Sequence, residues 1–175
     1  VTPPYHLATS SVILKENPGA GMVMDLTGNR NQDNISNAMQ MIKSRIIAKE
    51  TVKSLWPRYK NNLDLFGSYP FYPRGRRLRR YFTELFSFGN DFIPEKRVFH
   101  TNEYTDEIGN LYASKIESQL KVQHVKNTDI IKISYGSVWA AEAQLITNTL
   151  TNVYKKFVKE INAEEAINAV KFIED

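Results

Sequence analysis

The chain has 175 residues, of which 42% are hydrophobic, 24% charged and 11% aromatic, with a formal net charge of +4. This composition is typical of one soluble globular domain and excludes a disordered or fibrous chain. The absence of cysteine excludes disulfides, thiolate metal sites and a cysteine nucleophile.

The first predicted element is a strand over residues 5–16. Ala8, Ser10, Val12 and Leu14 alternate with a second set of side chains, and β-branched residues are frequent, which favours a strand covered on at least one face. The run Asn17-Pro18-Gly19 predicts a turn after it, and the polar stretch over residues 27–33 predicts a loop.

A long helix is predicted from about Asn34 to Trp56. Asp33 or Asn34 is a suitable N-cap, because its side chain can accept from the free backbone N–H groups of the first turn. Pro57 is expected to end the helix, since proline disfavours the α conformation at the residue before it. The apolar stripe that predicts one buried face is Ile35, Met39, Ile42, Ile46 and Leu55.

Residues 57–104 are irregular, with a short helix expected around Leu78–Phe86. The next predicted helix runs from about Thr105 to Gln119. Thr105 is its candidate cap, and the two acids that follow suit the positive end of the helix dipole. Its predicted buried stripe is Ile108, Leu111 or Tyr112, Ile116 and Leu120.

A short extended segment from Val122 and a turn at Asn127-Thr128 lead to the clearest strand, Asp129–Tyr135. Alternation places its apolar side chains on one face and Lys132 and Ser134 on the other. Gly136-Ser137 is expected to end this strand, with Ser137 capping the next helix.

The final helix begins near Trp139, and its stripe continues to the last residues. It exceeds 30 residues, or about 50 Å at 1.5 Å per residue, and so long a helix is expected to pack on another helix. The elements predict an α+β fold in which helices pack a small mixed sheet, in the order β-α-loop-α-β-β-α. Residues 1–160 are expected to form a base domain, and residues 161–175 the start of a helical arm.

The sequence contains no motif that predicts catalysis. His6, His100 and His124 are isolated, no glycine-rich phosphate loop occurs, and acids such as Asp106 and Glu107 are adjacent and diverge on a helix. We therefore expect no enzymatic activity, no cofactor and no metal site, and an unrecognised hydrolase is the third-ranked hypothesis.

The basic charge is concentrated in the middle of the chain, where residues 51–100 carry ten Lys or Arg against four Asp or Glu. Its centre is the arginine cluster, defined as Arg74, Arg76, Arg77, Arg79 and Arg80. Neighbouring guanidinium groups and interleaved aromatic residues suit an anionic ligand such as phosphate, a lipid headgroup or nucleic acid. A solvated loop paired with local acids such as Glu84 and Asp91 is the alternative.

Several segments together resemble a known family. Residues 127–135 read Asn-Thr-Asp-Ile-Ile-Lys-Ile-Ser-Tyr, and they are followed by Glu142-Ala143 and later by Asn148 and Tyr154. With the earlier Asn34-Ile-Ser-Asn and Lys43-Ser-Arg-Ile-Ile-Ala, this pattern resembles the Wzz-type domain of polysaccharide co-polymerases and exopolysaccharide-export tyrosine kinases. Residues 71–85 are similar to the loop of the kinase-linked branch. The family-motif positions are Lys43, Ser44, Arg45, Asp129, Ala143, Asn148 and Tyr154.

The resemblance implies a periplasmic segment of a bacterial inner-membrane protein, anchored by helices on both sides of this chain. We expect the chain to be part of a longer protein, because it starts at Val1 and ends within a helical pattern. The implied function is non-enzymatic regulation of the length or export of O-antigen, capsule or exopolysaccharide. The implied partners are further copies of the chain, the polymerase or export machinery and the membrane, and not nucleic acid.

The sequence departs from the family where Trp139-Ala140 replaces the usual Asp-Pro at the start of the final helix. This removes the proline expected at the first helical turn and any contact made by that aspartate. A cytoplasmic tyrosine kinase is associated with part of the family, but this segment carries no phosphate-loop signature. The alternative function is a module that binds nucleic acid or another anionic ligand through the arginine cluster.

Overall fold

The computed structural model describes residues 5–14, 30–68 and 98–174. The elements in these ranges are β1 (His6–Ile13), α1 (Arg30–Ile42), α2 (Arg45–Tyr59), a 3-10 helix (Asp64–Phe66), α3 (Asp106–Gln119), β2 (Leu120–His124), β3 (Ile130–Ser137) and α4 (Ala140–Glu174). The predicted α+β class is confirmed.

The three strands form an antiparallel sheet with β3 in the centre. The prediction of a mixed sheet is therefore wrong for the described strands. β2 and β3 form a hairpin, whose turn contains Asn127 in the left-handed region at φ 59°. β1 ends where β3 begins, and the Leu14 N–H donates to Asp129 O at 2.9 Å, so β1 also runs opposite to β3.

The predicted faces of β3 are confirmed, because Ile131, Ile133 and Tyr135 are buried against the helices. The prediction that Gly136 and Ser137 end the strand is wrong, since they pair with Leu7 and His6 of β1. Ser137 still assists the next helix, because its Oγ accepts from Trp139 N at 3.2 Å, one residue before α4 begins.

The single helix predicted over residues 34–56 is two helices in the structure. The chain breaks at Lys43-Ser44, and the extended Ser44 caps α2 by accepting from Ile47 N. The break turns Ile46 outward, to 58% exposure, and buries its neighbour Ile47 completely. α1 begins at Arg30, so Asp33 and Asn34 lie inside it, and Pro57 lies in the last turn of α2 rather than after it.

The predictions for α3 hold in most respects. Thr105 is its N-cap and accepts from Ile108 N at 3.3 Å. Tyr112 and Ile116 are buried, whereas Leu111 is exposed, so Tyr112 is the member of the alternative pair that faces the core. The helix predicted at residues 78–86 lies outside the described residues.

The core lies between the sheet and the four helices α1 to α4. Its centre is aromatic, with Trp56 edge-on to Phe66 at 5.3 Å between ring centroids and Phe66 edge-on to Tyr112 at 4.9 Å. Residues 98–104 are held on α2, because Trp56 Nε1 donates to Glu103 O at 3.1 Å and Lys60 Nζ donates to Thr101 O at 2.7 Å.

α4 is continuous from Ala140 to Glu174 and packs its first half on β1, β3 and α2. Its buried positions are Glu142, Ala143, Ile146, Thr147, Leu150, Thr151 and Tyr154. The division into a base domain up to residue 160 and an arm from residue 161 stays a prediction.

Candidate functional site

A polar pocket of about 260 Å³ lies where the 3-10 helix, α3, the end of β3 and the start of α4 meet. Four separate parts of the chain supply its walls, and Tyr5, the residue before β1, forms its edge. We call it the polar pocket; its lining residues are Tyr5, Asp64, Leu65, Lys115, Ser118, Gln119, Tyr135, Gly136, Ser137, Val138 and Glu142.

Glu142 holds one wall of the polar pocket in place. It lies in the first turn of α4 and is only 5% exposed. One carboxylate oxygen accepts from Asp64 N and the other from Leu65 N, each at 2.8 Å, so the carboxylate occupies the N-terminus of the 3-10 helix. A negative group is favoured at that position, where backbone N–H groups have no helical acceptor.

Burial raises the pKa of Glu142 above its ordinary value, and the nearby Asp64 carboxylate raises it further. The two backbone N–H groups and Lys115 oppose this shift without cancelling it. Burial also raises the pKa of the half-buried Asp64, against the attraction of Lys115. The pocket therefore holds two carboxyl groups that are easier to protonate than exposed ones.

Tyr135 forms the floor of the polar pocket and is 3% exposed. Burial raises the pKa of its phenol, and the negative charges of Glu142 and Asp64 and the neighbouring Tyr5 add to the increase. The phenol therefore keeps its proton at neutral pH and remains a hydrogen-bond donor.

Lys115 supplies the positive charge of the pocket. Its Nζ donates to Leu65 O at 3.0 Å and lies 5.3 Å from the centroid of the Tyr112 ring, a cation–π distance. The ammonium group thus binds the same 3-10 helix that Glu142 holds from the other side. Together these contacts fix the segment that carries Asp64.

Tyr5 closes the outer edge of the polar pocket. Its hydroxyl donates to Gln119 Oε1 on α3, and its ring lies directly over Gly136 of β3. A Cβ at position 136 would collide with the outer end of this side chain, so glycine is what lets the ring lie in this place. More than half of the Tyr5 surface stays exposed, and its ring is available to a ligand at the mouth.

The sequence interpretation missed this constellation. It considered carboxylates that are adjacent along the chain, whereas Asp64 and Glu142 are 78 residues apart and meet only in the fold. The sequence offered one usable signal, an acid in the first turn of the predicted final helix. Within residues 5–14, 30–68 and 98–174, no group of three or more His, Asp or Glu could hold a metal ion.

A second concavity, the α2–α4 groove, has a volume of about 550 Å³. Its apolar surface comes from Ile46 on α2 and from Val153 and Phe157 on α4, and charged side chains surround it. Ion pairs of 3.6 Å join Glu50 to Lys53 on one side and Lys156 to Glu160 on the other.

The family-motif positions do not converge on one site. Ser44 caps α2, and Arg45 joins α2 to α3, with Nη2 2.9 Å from Asn110 O and Nη1 3.1 Å from Ser114 Oγ. Ala143 and Tyr154 are buried in the core, whereas Lys43 and Asn148 are exposed, and the Asp129 carbonyl accepts from Leu14 N, one residue after β1. The positions that are buried or bonded therefore stabilise the fold.

The arginine cluster lies outside the described residues, so its role as an anionic-ligand site stays a prediction. None of the helices in the described part of the chain is long and apolar enough to cross a membrane. Comparison with protein-family models, with curated proteins and with solved structures finds no match.

Proposed function

We propose that this chain is the periplasmic domain of a bacterial inner-membrane protein of the Wzz type. In this proposal the domain has no enzymatic activity and regulates the length or export of a surface polysaccharide through homo-oligomerisation. The flanking membrane helices and the polymerase or export machinery are the further partners that the proposal requires.

The observation that carries the proposal is the length of α4 relative to the core. The helix has 35 residues, about 52 Å at 1.5 Å per residue. Among its described side chains the last buried one is Tyr154, and those described beyond residue 161 are exposed, Ile167 to 56%. A single helix that carries apolar residues beyond its own core gains stability by packing on another helix.

The α2–α4 groove adds support, because it continues the apolar side of this helix. Val153 and Phe157 lie in the groove, and Ile161 follows Phe157 on α4 at a spacing of four residues, one turn further along the same side. An apolar strip of this kind, bordered by charged side chains, is typical of a surface that binds another protein.

The order of the elements also supports the proposal. A strand, helices, a β-hairpin and one long helix that leaves the core correspond to the base domain and arm that the family resemblance implies. Ser44, Arg45 and Tyr154, which belong to the resembling segments, are employed in capping, helix pairing and core packing. Because these residues stabilise the fold, their roles are those expected in a non-enzymatic scaffold protein.

The test uses the protein as its own gene encodes it, extracted from the membrane in mild detergent. We expect Ile161→Asp combined with Ile167→Asp to reduce the oligomer to smaller species in native mass measurements, because two charges replace apolar contacts. The matched control is Asn162→Asp combined with Asn168→Asp, which adds the same charge at adjacent exposed positions. An oligomer unaffected by the isoleucine substitutions, or equally disrupted by both pairs, would contradict the proposal.

A further inference from the structure

The polar pocket contains hydrogen-bonding groups that the described protein does not satisfy. Tyr135 is only 3% exposed, yet its hydroxyl has no hydrogen bond within the described residues. Every side-chain N or O atom that is fully buried in the described residues has a hydrogen-bond partner. The unbonded Tyr135 oxygen is therefore not fully buried and reaches the open space of the pocket. Leaving a hydroxyl in such a place costs free energy unless water or a ligand binds it.

Other side chains that line the pocket have hydrogen-bonding groups that are not used within the described residues. The Asp64 carboxylate makes no hydrogen bond through its side chain in the described part, although its backbone N–H does. The Gln119 amide uses its oxygen for Tyr5 and leaves its N–H groups available, and Lys115 uses one of three N–H groups. Donors and acceptors therefore face one small volume from opposite walls.

The charges of the pocket select the kind of ligand. Two carboxylates, one of them buried, repel an anion such as phosphate. Both Glu142 oxygens already accept from backbone N–H groups, so a cation would have only the Asp64 carboxylate to bind, and the Lys115 ammonium offsets the charge of that group. An apolar ligand would leave the Tyr135 hydroxyl and the Asp64 carboxylate unbonded. A neutral ligand rich in hydroxyl groups is not repelled by these charges and leaves no polar group unbonded, because each hydroxyl can donate to a carboxylate and accept from a phenol, amide or ammonium.

The volume of the pocket and the side chain at its mouth narrow the class of ligand further. A volume of about 260 Å³ is slightly below the range of roughly 300–1,000 Å³ usual for drug-sized ligands, and suits one ring. The exposed Tyr5 ring at the mouth provides a flat apolar surface for the C–H side of such a ring. The pocket is open to solvent, so a chain attached to the ring can leave through the mouth.

We propose that the polar pocket binds a single neutral sugar ring, with the Tyr135 hydroxyl, the Asp64 carboxylate and the Gln119 amide as its hydrogen-bonding groups. Tyr5 covers one face of the ring. The chemistry of binding is inferred from the pocket alone. The natural source of the sugar, a residue of the growing surface polysaccharide, rests on the proposed function.

The test is an NMR titration of this chain with neutral hexopyranosides, namely the methyl glycosides of glucose, galactose and mannose, and with N-acetylglucosamine. At least one of them is expected to bind in the millimolar range and to shift the Leu65 and Gly136 backbone amides and the Gln119 side-chain amide. Glucuronate, which has the same ring and a carboxylate, is expected to bind at least tenfold more weakly.

Tyr135→Phe separates a binding role from a structural one, because it removes only a hydroxyl that the described protein does not bond. It is expected to keep the folded spectrum and to weaken sugar binding at least tenfold. Tyr154→Phe is the matched control: that tyrosine is also 3% exposed, has no described hydrogen bond and lies outside the polar pocket. Its sugar binding should equal that of the unmodified chain.

Two results would overturn the inference: none of the four sugars shifts the pocket amides, or Tyr135→Phe binds as tightly as Tyr154→Phe. These results are distinct from failure of the proposed function, which the oligomer measurement reports. If the chain assembles but does not bind sugar, the scaffold proposal stands and the sugar-binding proposal is wrong. If the chain binds sugar but does not assemble, the sugar-binding proposal stands and the scaffold proposal is wrong.

Discussion

The most informative perturbation of the polar pocket is Glu142→Gln, which keeps the shape of the side chain and removes its charge. Only one of the two atoms that accept from Asp64 N and Leu65 N remains an acceptor, and the other becomes an N–H₂ group facing an N–H. A buried donor without an acceptor costs about 1–3 kcal/mol. Relief of the buried charge offsets part of this, so we expect a net loss of about 1–2 kcal/mol at pH 7.

This loss corresponds to a decrease of about 2–8 °C in Tm, at about 2–4 °C per kcal/mol for a chain of this size. Urea unfolding followed by circular dichroism measures the free energy of unfolding, and an unchanged m-value shows that the folded state is retained. The control is Glu164→Gln, which removes an exposed carboxylate from the same helix and should change stability by less than about 0.5 kcal/mol.

The pH dependence supplies a second, independent readout. Because burial raises the pKa of Glu142 in the folded chain, its contribution to stability is fully present below its ordinary pKa and is lost as the pH rises through the raised value. The unmodified chain should therefore gain stability relative to Glu142→Gln as the pH falls from 7 towards 5. Equal stability of the two chains at pH 7, or a gap that narrows on acidification, would refute this account of the pocket.

Three further predictions concern the helix break at Ser44, the edge of the polar pocket and the arginine cluster. Ile47→Ala should cost about 2–5 kcal/mol in urea unfolding, whereas Ile46→Ala should change stability by less than about 0.5 kcal/mol; equal losses would contradict the helix break at Ser44. Gly136→Ala should cost about 0.5–1 kcal/mol because it displaces the half-exposed Tyr5 side chain and its hydrogen bond to Gln119, and a double-mutant cycle should show the cost reduced when Tyr5→Ala is also present. Alanine in place of the arginine cluster should reduce flotation with anionic vesicles and leave the weak binding to neutral vesicles unchanged; equal binding to both vesicle types would contradict the anionic-ligand prediction.

Elements whose signal is local could be predicted from the sequence. The alternation of Ile131, Lys132 and Ile133 determines which face of β3 is buried, because successive side chains of a strand point to opposite sides. Thr105 caps α3 as predicted, since its hydroxyl bonds a backbone group only three residues away. The length of α4 could also be predicted, because its apolar stripe recurs over the whole segment.

The helix break and the polar pocket could not be predicted in this way. Ser44 follows Ile42 and precedes Ile46 and Ile47, so the apolar spacing fits one continuous helix as well as two, and position 47 lacks the glutamate of a capping box. The pocket depends on contacts between Glu142 and the 3-10 helix and between Tyr5 and Gln119, over 77 and more residues of chain. The periodicity of apolar residues describes one helix or strand at a time and contains no information on contacts between residues that are distant along the chain.

The central claim is that this chain helps to set the length or export of a surface polysaccharide, and the length distribution of that polymer tests it most directly. The measurement is gel electrophoresis of surface polysaccharide from cells that lack the gene, from cells with it restored, and from cells carrying the paired Ile161→Asp and Ile167→Asp substitutions. We expect loss of the gene to change the modal length or abolish the polymer, and the paired substitutions to have the same effect. A polymer whose amount and length are the same in all three strains would contradict the account.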